Sequence, residues 1–163
     1  MGKLLFLLRT ADCSGNQLQE VFDSTLRAGL SKVLSVDLNG DQWLQASLPV
    51  GEGGVGIRSA QMLALSAFLA STASTSALQQ SILPNSISLL EDQSFTSTET
   101  RWSSLSGSTR PANEELHIQQ AWDKPVTKNH QALVLSRAAG DVDKARLLAA
   151  ASPTLEIDHM HRP

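Results

Sequence analysis

The sequence predicts an all-α fold, and three observations support this prediction. Apolar residues recur at spacings of three and four over long segments, which is typical of helices that bury one face. Residues that favour helix caps and turns separate these segments. Hydrophobic residues make up 41% of the 163 residues but aromatic residues only 4%, without any Tyr. A core filled with large rings is therefore not expected.

The chain opens with an apolar run from Leu4 to Leu8, which Arg9 ends. Five apolar residues are too few for the hydrophobic part of a signal peptide or for a membrane span. We therefore expect a protein of the cytosol or nucleus that is neither secreted nor anchored in a membrane. The single cysteine, Cys13, excludes an internal disulfide.

The clearest helix is predicted from Gln17 to Leu34. Ser14 and Gln17 have the spacing of a capping box at its start. Its apolar residues form one stripe, made of Leu18, Val21, Phe22, Leu26, Leu30, Val33 and Leu34. A turn at residues 36–41 and a short segment at residues 43–47 follow this helix.

A glycine-dense turn at residues 51–56 precedes a second helix, predicted from Ile57 to about Ala73. One side of this helix is apolar and its other faces are nearly all Ala and Ser, with Arg58 as the one charge, so we expect it to be packed on several faces. A short third helix is predicted at residues 78–83, where Pro84 ends it. Residues 1–84 then form a helical N-terminal block.

Residues 85–112 lose the apolar periodicity and are rich in Ser and Thr, which predicts a flexible connector. A small helical unit is predicted at residues 113–152. In it, Asn113 caps a helix that Pro125 interrupts, and a helical hairpin turns at Gly140. Leu133, Val134, Leu147 and Leu148 are expected to face inward in this hairpin. Residues 153–163 are predicted to be a disordered tail.

Two motifs mimic ligand sites without the context that those sites need. Gly51, Gly53 and Gly56 match a dinucleotide-binding pattern, but no acidic residue lies between Glu52 and Glu91 to hold a ribose. A glycine turn is the better interpretation. The sequence at residues 37–41 resembles the start of a calcium-binding loop, but Leu48 stands where the closing glutamate belongs.

Other reactive residues are also isolated. Cys13 has no histidine near it in sequence, so an incidental thiol is favoured over a nucleophile. Asp158, His159 and His161 have metal-ligand spacing but fall in the predicted tail, which offers no fixed geometry. No metal or cofactor site is therefore expected, and acting alone the chain is not expected to be an enzyme.

The charge distribution argues against an autonomous nucleic-acid-binding domain. The formal net charge is -3 at pH 7 and the pI is about 5.7, whereas such domains usually carry a basic face. Neither half of the chain forms a basic arm. Any contact with nucleic acid is expected to be local.

Five segments together resemble a known family. Residues 45–50 (QASLPV), 53–59 (GGVGIRS), 65–71 (LSAFLAS), 121–123 (AWD) and 144–152 (KARLLAAAS) occur in this order. They resemble the region downstream of the polymerase palm in the reverse transcriptases of non-LTR, LINE-like retrotransposons. The resemblance covers most of residues 3–153, although no single segment is a catalytic signature.

This resemblance implies a helical thumb that grips template and primer through their backbones. The metal-binding aspartates of that family lie upstream of the matched region, and this chain lacks the aromatic-x-Asp-Asp turn. Because two-metal phosphoryl transfer needs converging carboxylates, RNA-directed DNA polymerase activity is not implied. By position, the resemblance suggests Arg27, Lys32 and Arg58 as contacts to phosphate.

We therefore expect a catalytically empty fragment of a retroelement, truncated relative to the family, whose partner is nucleic acid through the parent polymerase. If a palm is missing, apolar side chains that it would cover are expected to be exposed, namely Phe6, Phe22, Leu26 and Phe68. The alternative, from a different class, is an independent helical module. Its Ala- and Ser-rich helix would bind a protein partner that covers the apolar faces.

Overall fold

The computed structural model describes the backbone of residues 2–151 and the side chains of residues 3–84 and 93–151. This part of the chain contains helices and no strand, which confirms the all-α prediction. The helices are α1 (Gly2–Thr10), α2 (Gln17–Leu34), α3 (Gly40–Ser47), α4 (Ala60–Ile82), α5 (Asn85–Ser106), α6 (Gln119–Arg137) and α7 (Asp141–Ala150). Short 3-10 turns span Val50–Glu52 and Asn113–Glu115. Within the described residues, no helix combines the length and apolarity that crossing a membrane requires.

Helix α4 is the central element and contacts α1, α2, α5 and α6. Its small side chains lie between these neighbours, and Ala60, Ser66 and Ala67 are completely buried. The Ala- and Ser-rich composition predicts packing on several faces, and the rest of this chain supplies it. The helix extends to Ile82, so the separate third helix predicted at residues 78–83 is instead its last turns.

Two tryptophans form the centre of the largest apolar cluster. Trp102 of α5 and Trp122 of α6 are fully buried, with ring centroids 4.9 Å apart at an interplanar angle of 80°. Both indole N–H groups donate to backbone carbonyls, that of Trp102 to Trp122 (2.9 Å) and that of Trp122 to Leu116 (2.8 Å). The low aromatic content of the sequence therefore understates the role of rings in the core.

The predicted flexible connector is wrong for residues 85–106, which form α5. Phe95, Trp102 and Leu105 recur at helical spacing and pack into the tryptophan cluster. The hydroxyls between them bond to the carbonyls of their own helix, as Ser97 does with Ser94 and Thr100 with Thr96. This local bonding lets a Ser- and Thr-rich segment remain helical when a few large side chains anchor it.

The N-terminal block and the C-terminal unit share one core. Leu65 and Leu69 of α4 lie in the same cluster as Trp102, Trp122 and Val126. Helix α6 also contacts α3 and the 3-10 turn at Val50–Glu52. The two predicted blocks thus pack directly against each other. The predicted disordered tail at residues 153–163 lies outside the described residues.

Helix α2 has the predicted bounds, but its buried face only partly matches the predicted stripe. Leu30 of that stripe is buried, whereas Leu18 and Val33 are 73% and 81% exposed, and the other buried residues are Gln19 and Asp23. The reason is the carboxylate of Asp23, which binds the N-terminus of α4 and so fixes the rotation of α2. A polar contact between helices overrides the apolar periodicity here.

Several local predictions are corrected by the backbone. The cap of α2 is Asn16, which accepts from the N–H of Leu18, and not Ser14. Asn113 begins a 3-10 turn, and Pro125 lies inside α6 without ending it. Burial of Trp122 and Val126 on this helix supplies the tertiary packing that compensates for the hydrogen bond lost at proline.

The helical hairpin at the C-terminal end is only partly packed as predicted. Helices α6 and α7 do turn at Gly140, and Val134 and Leu147 belong to an apolar cluster with Leu48. Leu133 and Leu148, in contrast, are exposed. Helix α7 contains no buried residue, so it lies along the edge of the fold.

Candidate nucleic-acid interface

An open groove of about 960 Å³ runs beside α2 and holds two of the predicted phosphate contacts. Arg27 and Lys32 line it from α2, together with Asp37 and Leu38 of the following turn and Trp43 of α3. The turn forms because Ser35 adopts a left-handed conformation (φ 53°), and the N–H of Val36 bonds to Ser31. The sequence therefore places these two cations on one surface.

The side chain of Arg27 is held by the backbone of this turn. Its Nε donates to the carbonyl of Leu38 (2.9 Å), and its Nη2 donates to the same oxygen. The guanidinium is half-buried, so its charge is fixed at the wall of the groove. Lys32 is exposed in the last turn of α2, where a cation is favourable near the negative helix end. It forms no ion pair with another described residue.

Carboxylates oppose these cations in the same groove. Asp23 is buried and accepts from Ser59 Oγ (2.5 Å) and from the N–H groups of Ala60 (2.7 Å) and Gln61 (3.2 Å). It therefore caps α4, and its charge faces that helix. Glu20 and Asp37 also line the groove and offset the charges of Arg27 and Lys32. A polyanion would gain little net attraction here.

Arg58 lies away from this groove, at the contact between the start of α4 and α6. Its Nη2 donates to both carboxylate oxygens of Asp123, at 2.8 and 2.7 Å. Only 19% of the Arg58 side chain and 15% of the Asp123 side chain are exposed. A phosphate contact by Arg58 would have to break this ion pair. The geometry gives Arg58 a structural role that joins distant parts of the chain.

His130 lies near this ion pair on α6. Its Nδ1 and the Nε of Arg58 are buried and have no hydrogen-bond partner among the described residues. Burial lowers the pKa of His130, the charge of Arg58 lowers it further, and Asp123 acts in the opposite direction. The neutral imidazole is therefore the form that this site favours.

A second ion-pair network joins the α1–α2 loop to α5. Asp12 accepts from Thr98 Oγ1 (2.8 Å), from Arg101 Nη1 (3.0 Å) and from both the N–H and the hydroxyl of Ser14. Burial acts to raise the pKa of Asp12, but hydrogen bonds from Ser14 and Thr98 and the charge of Arg101 outweigh it. The pKa of Asp12 is therefore lowered, and the carboxylate fixes the loop.

Trp43 is a further candidate contact, in addition to the residues predicted from the sequence. The other two tryptophans are fully buried with their N–H groups bonded. Trp43 is half-buried, lines the groove, and its indole N–H has no hydrogen-bond partner among the described residues. The sequence feature that could have indicated Trp43 is its position on a short amphipathic helix directly after a polar turn.

The motifs that mimic ligand sites have structural explanations. The N-terminus of α4, which follows the glycine turn, is already occupied by Asp23. Asn39 of the calcium-like turn forms a capping box with Gln42 at the start of α3. Cys13 is half-buried against the cluster around Leu8. No three His, Cys, Asp or Glu side chains converge in the part of the chain that the structure describes. Asp158, His159 and His161 lie outside it.

Comparison of the chain with models of protein families, with curated proteins and with solved structures finds no match in any of the three.

Proposed function

We propose that the chain is a non-catalytic helical unit of the kind that follows the palm in retrotransposon reverse transcriptases. It makes at most weak contact with the backbone of template and primer, through Arg27 and Lys32. The observation that carries this proposal is that each of the five sequence segments which resemble that family contacts at least one other of them in space, although up to about a hundred residues separate them.

The first two segments form one turn. The N–H of Gly56 bonds to the carbonyl of Leu48 (2.9 Å), and that of Val55 bonds to Ala46 (3.2 Å). A Cβ atom on Gly54 would lie 2.0 Å from the carbonyl oxygen of Leu48, so only glycine fits this position. The pairing of these segments thus accounts for the glycine between them.

The other three segments pack near this turn and against one another. Arg58 of the second segment pairs with Asp123 of the fourth, and Leu65 and Leu69 of the third pack in one cluster with Trp122. Gly53 lies against Leu147 and Ala151 of the fifth. Segments that resemble the same family and also contact one another are expected to belong to one folding unit. This supports the view that the resemblance reflects a common structure.

Binding of labelled RNA–DNA primer-template, followed by fluorescence anisotropy at several salt concentrations, tests the contact. Weak, non-specific binding with a dissociation constant between about 10⁻⁴ and 10⁻⁶ M is expected. The double variant R27Q/K32Q removes two phosphate contacts, so the slope of log affinity against log salt is expected to fall by about one to two.

The matched control is K128Q/R146Q, which removes two exposed charges outside the groove. Its salt slope should equal that of the unmodified protein, and thermal melting of both variants checks that they fold. An equal fall in both double variants, or no binding at low salt, would contradict the proposed contact.

A second function, a helical module that binds a protein, is favoured by the outer face of α2. Leu18, Val21 and Val33 are all more than half exposed there, and Phe6 of α1 is 66% exposed. Phe22, Leu26 and Phe68 are half-buried. The Ala- and Ser-rich helix predicted to carry such a contact is unavailable, because α4 is covered within this chain.

The variant V33E separates the two functions. It places a charge on the exposed face of α2 without touching the core, so its thermal melting is expected to be unchanged. Partner capture that resists salt and is lost in V33E would favour the protein-binding module. Nucleic-acid binding that V33E leaves intact and salt abolishes would favour the polymerase-like unit.

A further inference from the structure

A separate cavity of about 290 Å³ lies between the second half of α4, Phe95 of α5 and the loop that leads to α6. Its volume is just below the range of about 300–1,000 Å³ that is typical of sites for small molecules. The described side chains that line it include one cation, Arg110, and no carboxylate. This distinguishes it from the groove beside α2, where carboxylates offset both cations.

Arg110 is the one described arginine that donates no hydrogen bond to another described residue. Its ion pair with Glu99 is long, at 3.6 Å, and its guanidinium lies 5.4 Å from the centre of the Phe95 ring. Every other described arginine donates a hydrogen bond within the chain: Arg9, Arg27, Arg58, Arg101, Arg137 and Arg146. The guanidinium thus lies over the ring, and within the described part of the chain only the long ion pair with Glu99 uses its charge.

Other polar side chains line the cavity together with Arg110. They are Gln79 and Gln80 of α4 and Asn113 and His117 of the loop, and none of these side chains forms a hydrogen bond with another described residue. Carboxamides both donate and accept, so they match hydroxyl groups on a ligand. The guanidinium matches a phosphate, which it can bind through two N–H groups. The Phe95 face under the guanidinium is already used, which disfavours stacking of an aromatic ligand there.

We propose that this cavity binds a small phosphorylated polyol of the size of a sugar phosphate. Arg110 holds the phosphate, and the carboxamides of Gln79, Gln80 and Asn113 hold the hydroxyl groups. The proposal is independent of the groove beside α2 and of any contact with nucleic acid.

Isothermal titration calorimetry with ribose 5-phosphate tests the proposal, with inorganic phosphate and ribose as separate probes. Ribose 5-phosphate is expected to bind in the millimolar range or more tightly. The variant R110Q should weaken binding at least about tenfold, because it removes a charge-assisted contact. The variant E99Q should strengthen binding severalfold, because Glu99 no longer competes for the guanidinium.

The control R146Q removes an arginine of α7 that does not line the cavity, so its affinity should be unchanged. Equal affinity for inorganic phosphate and ribose 5-phosphate would overturn the recognition of hydroxyl groups. Equal affinity of R110Q and the unmodified protein, or no detectable binding, would overturn the site. A purely structural role of Arg110 would not produce the gain in affinity of E99Q.

Discussion

The groove beside α2 and the interface between α4 and α6 both contain arginine, but they use it differently. In the groove, Arg27 bonds to a backbone carbonyl, and nearby carboxylates balance its charge toward solvent. At the interface, Arg58 is largely buried and paired with Asp123, which lies in a distant part of the sequence. The comparison shows that burial and a carboxylate partner make Arg58 a structural contact between distant parts of the chain, whereas Arg27 stays at the wall of an open groove.

Stability is therefore expected to depend more on the interface than on the solvent-facing side chains of the groove, Lys32 and Trp43. Variants at the interface should therefore lose more free energy of unfolding than matched variants at the groove or at the exposed surface.

The largest loss is expected for Trp122→Ala. This residue is fully buried, so truncation leaves a cavity and removes the hydrogen bond to Leu116, at a cost of about 3–5 kcal/mol. Trp43→Ala is the counterpart at the groove, where a half-buried ring should cost about 1 kcal/mol. Urea unfolding followed by circular dichroism measures both. Similar losses in the two variants would mean that the tryptophan cluster is not the main core.

A smaller loss is expected for Asp123→Ala, which leaves the guanidinium of Arg58 without a partner. Breaking a fully buried ion pair costs about 3–5 kcal/mol, so this partly exposed pair should cost about 2–3 kcal/mol. Asp41→Ala breaks the exposed pair with Arg137 and should cost less than about 1 kcal/mol. A double-mutant cycle with R58A isolates the interaction energy between Arg58 and Asp123. A value near zero would mean that this ion pair does not stabilise the interface.

The same contrast explains which features could be predicted from the sequence. The bounds of α2 are predictable because periodicity and local turn residues decide where a helix begins and ends. The grouping of Arg27 and Lys32 on one surface also follows from their place on one helix. Helix α5 is not predictable in this way, because the side chains that stabilise it, Phe95 and Trp102, pack against residues of α4 and α6 that are distant in sequence. Its Ser and Thr residues indicate a loop when those partners are unknown.

The role of Asp23 shows the same limit within a helix. Its spacing in α2 gives no sign that it faces the interior, since charged residues are rarely buried alone. The N–H groups that satisfy it belong to residues 60 and 61, and only the tertiary fold brings them near. The pairing of Arg58 with Asp123 is equally non-local. The polar contacts that orient the helices are therefore the part that sequence patterns miss.

The smallest effect is expected from the titration of His130 beside the interface. Burial and the charge of Arg58 hold the pKa of His130 below its usual 6.5 in the folded protein, and Asp123 only partly compensates. The unfolded chain therefore binds a proton more readily than the folded one. The stability that depends on the neutral imidazole is present above about pH 6.5 and is lost as the pH falls below that value.

Urea unfolding between pH 7.5 and pH 5 measures this dependence. The variant H130Q should lose part of the decline in stability on acidification, whereas H117Q, which alters an exposed histidine, should keep it. Asp12 hardly affects the result, because the stability that comes from its lowered pKa is lost only below about pH 5, where the measurement ends. Identical pH profiles for H130Q and the unmodified protein would show that the imidazole is not held neutral by the fold. The interface would then owe its stability to the ion pair and the tryptophan cluster alone.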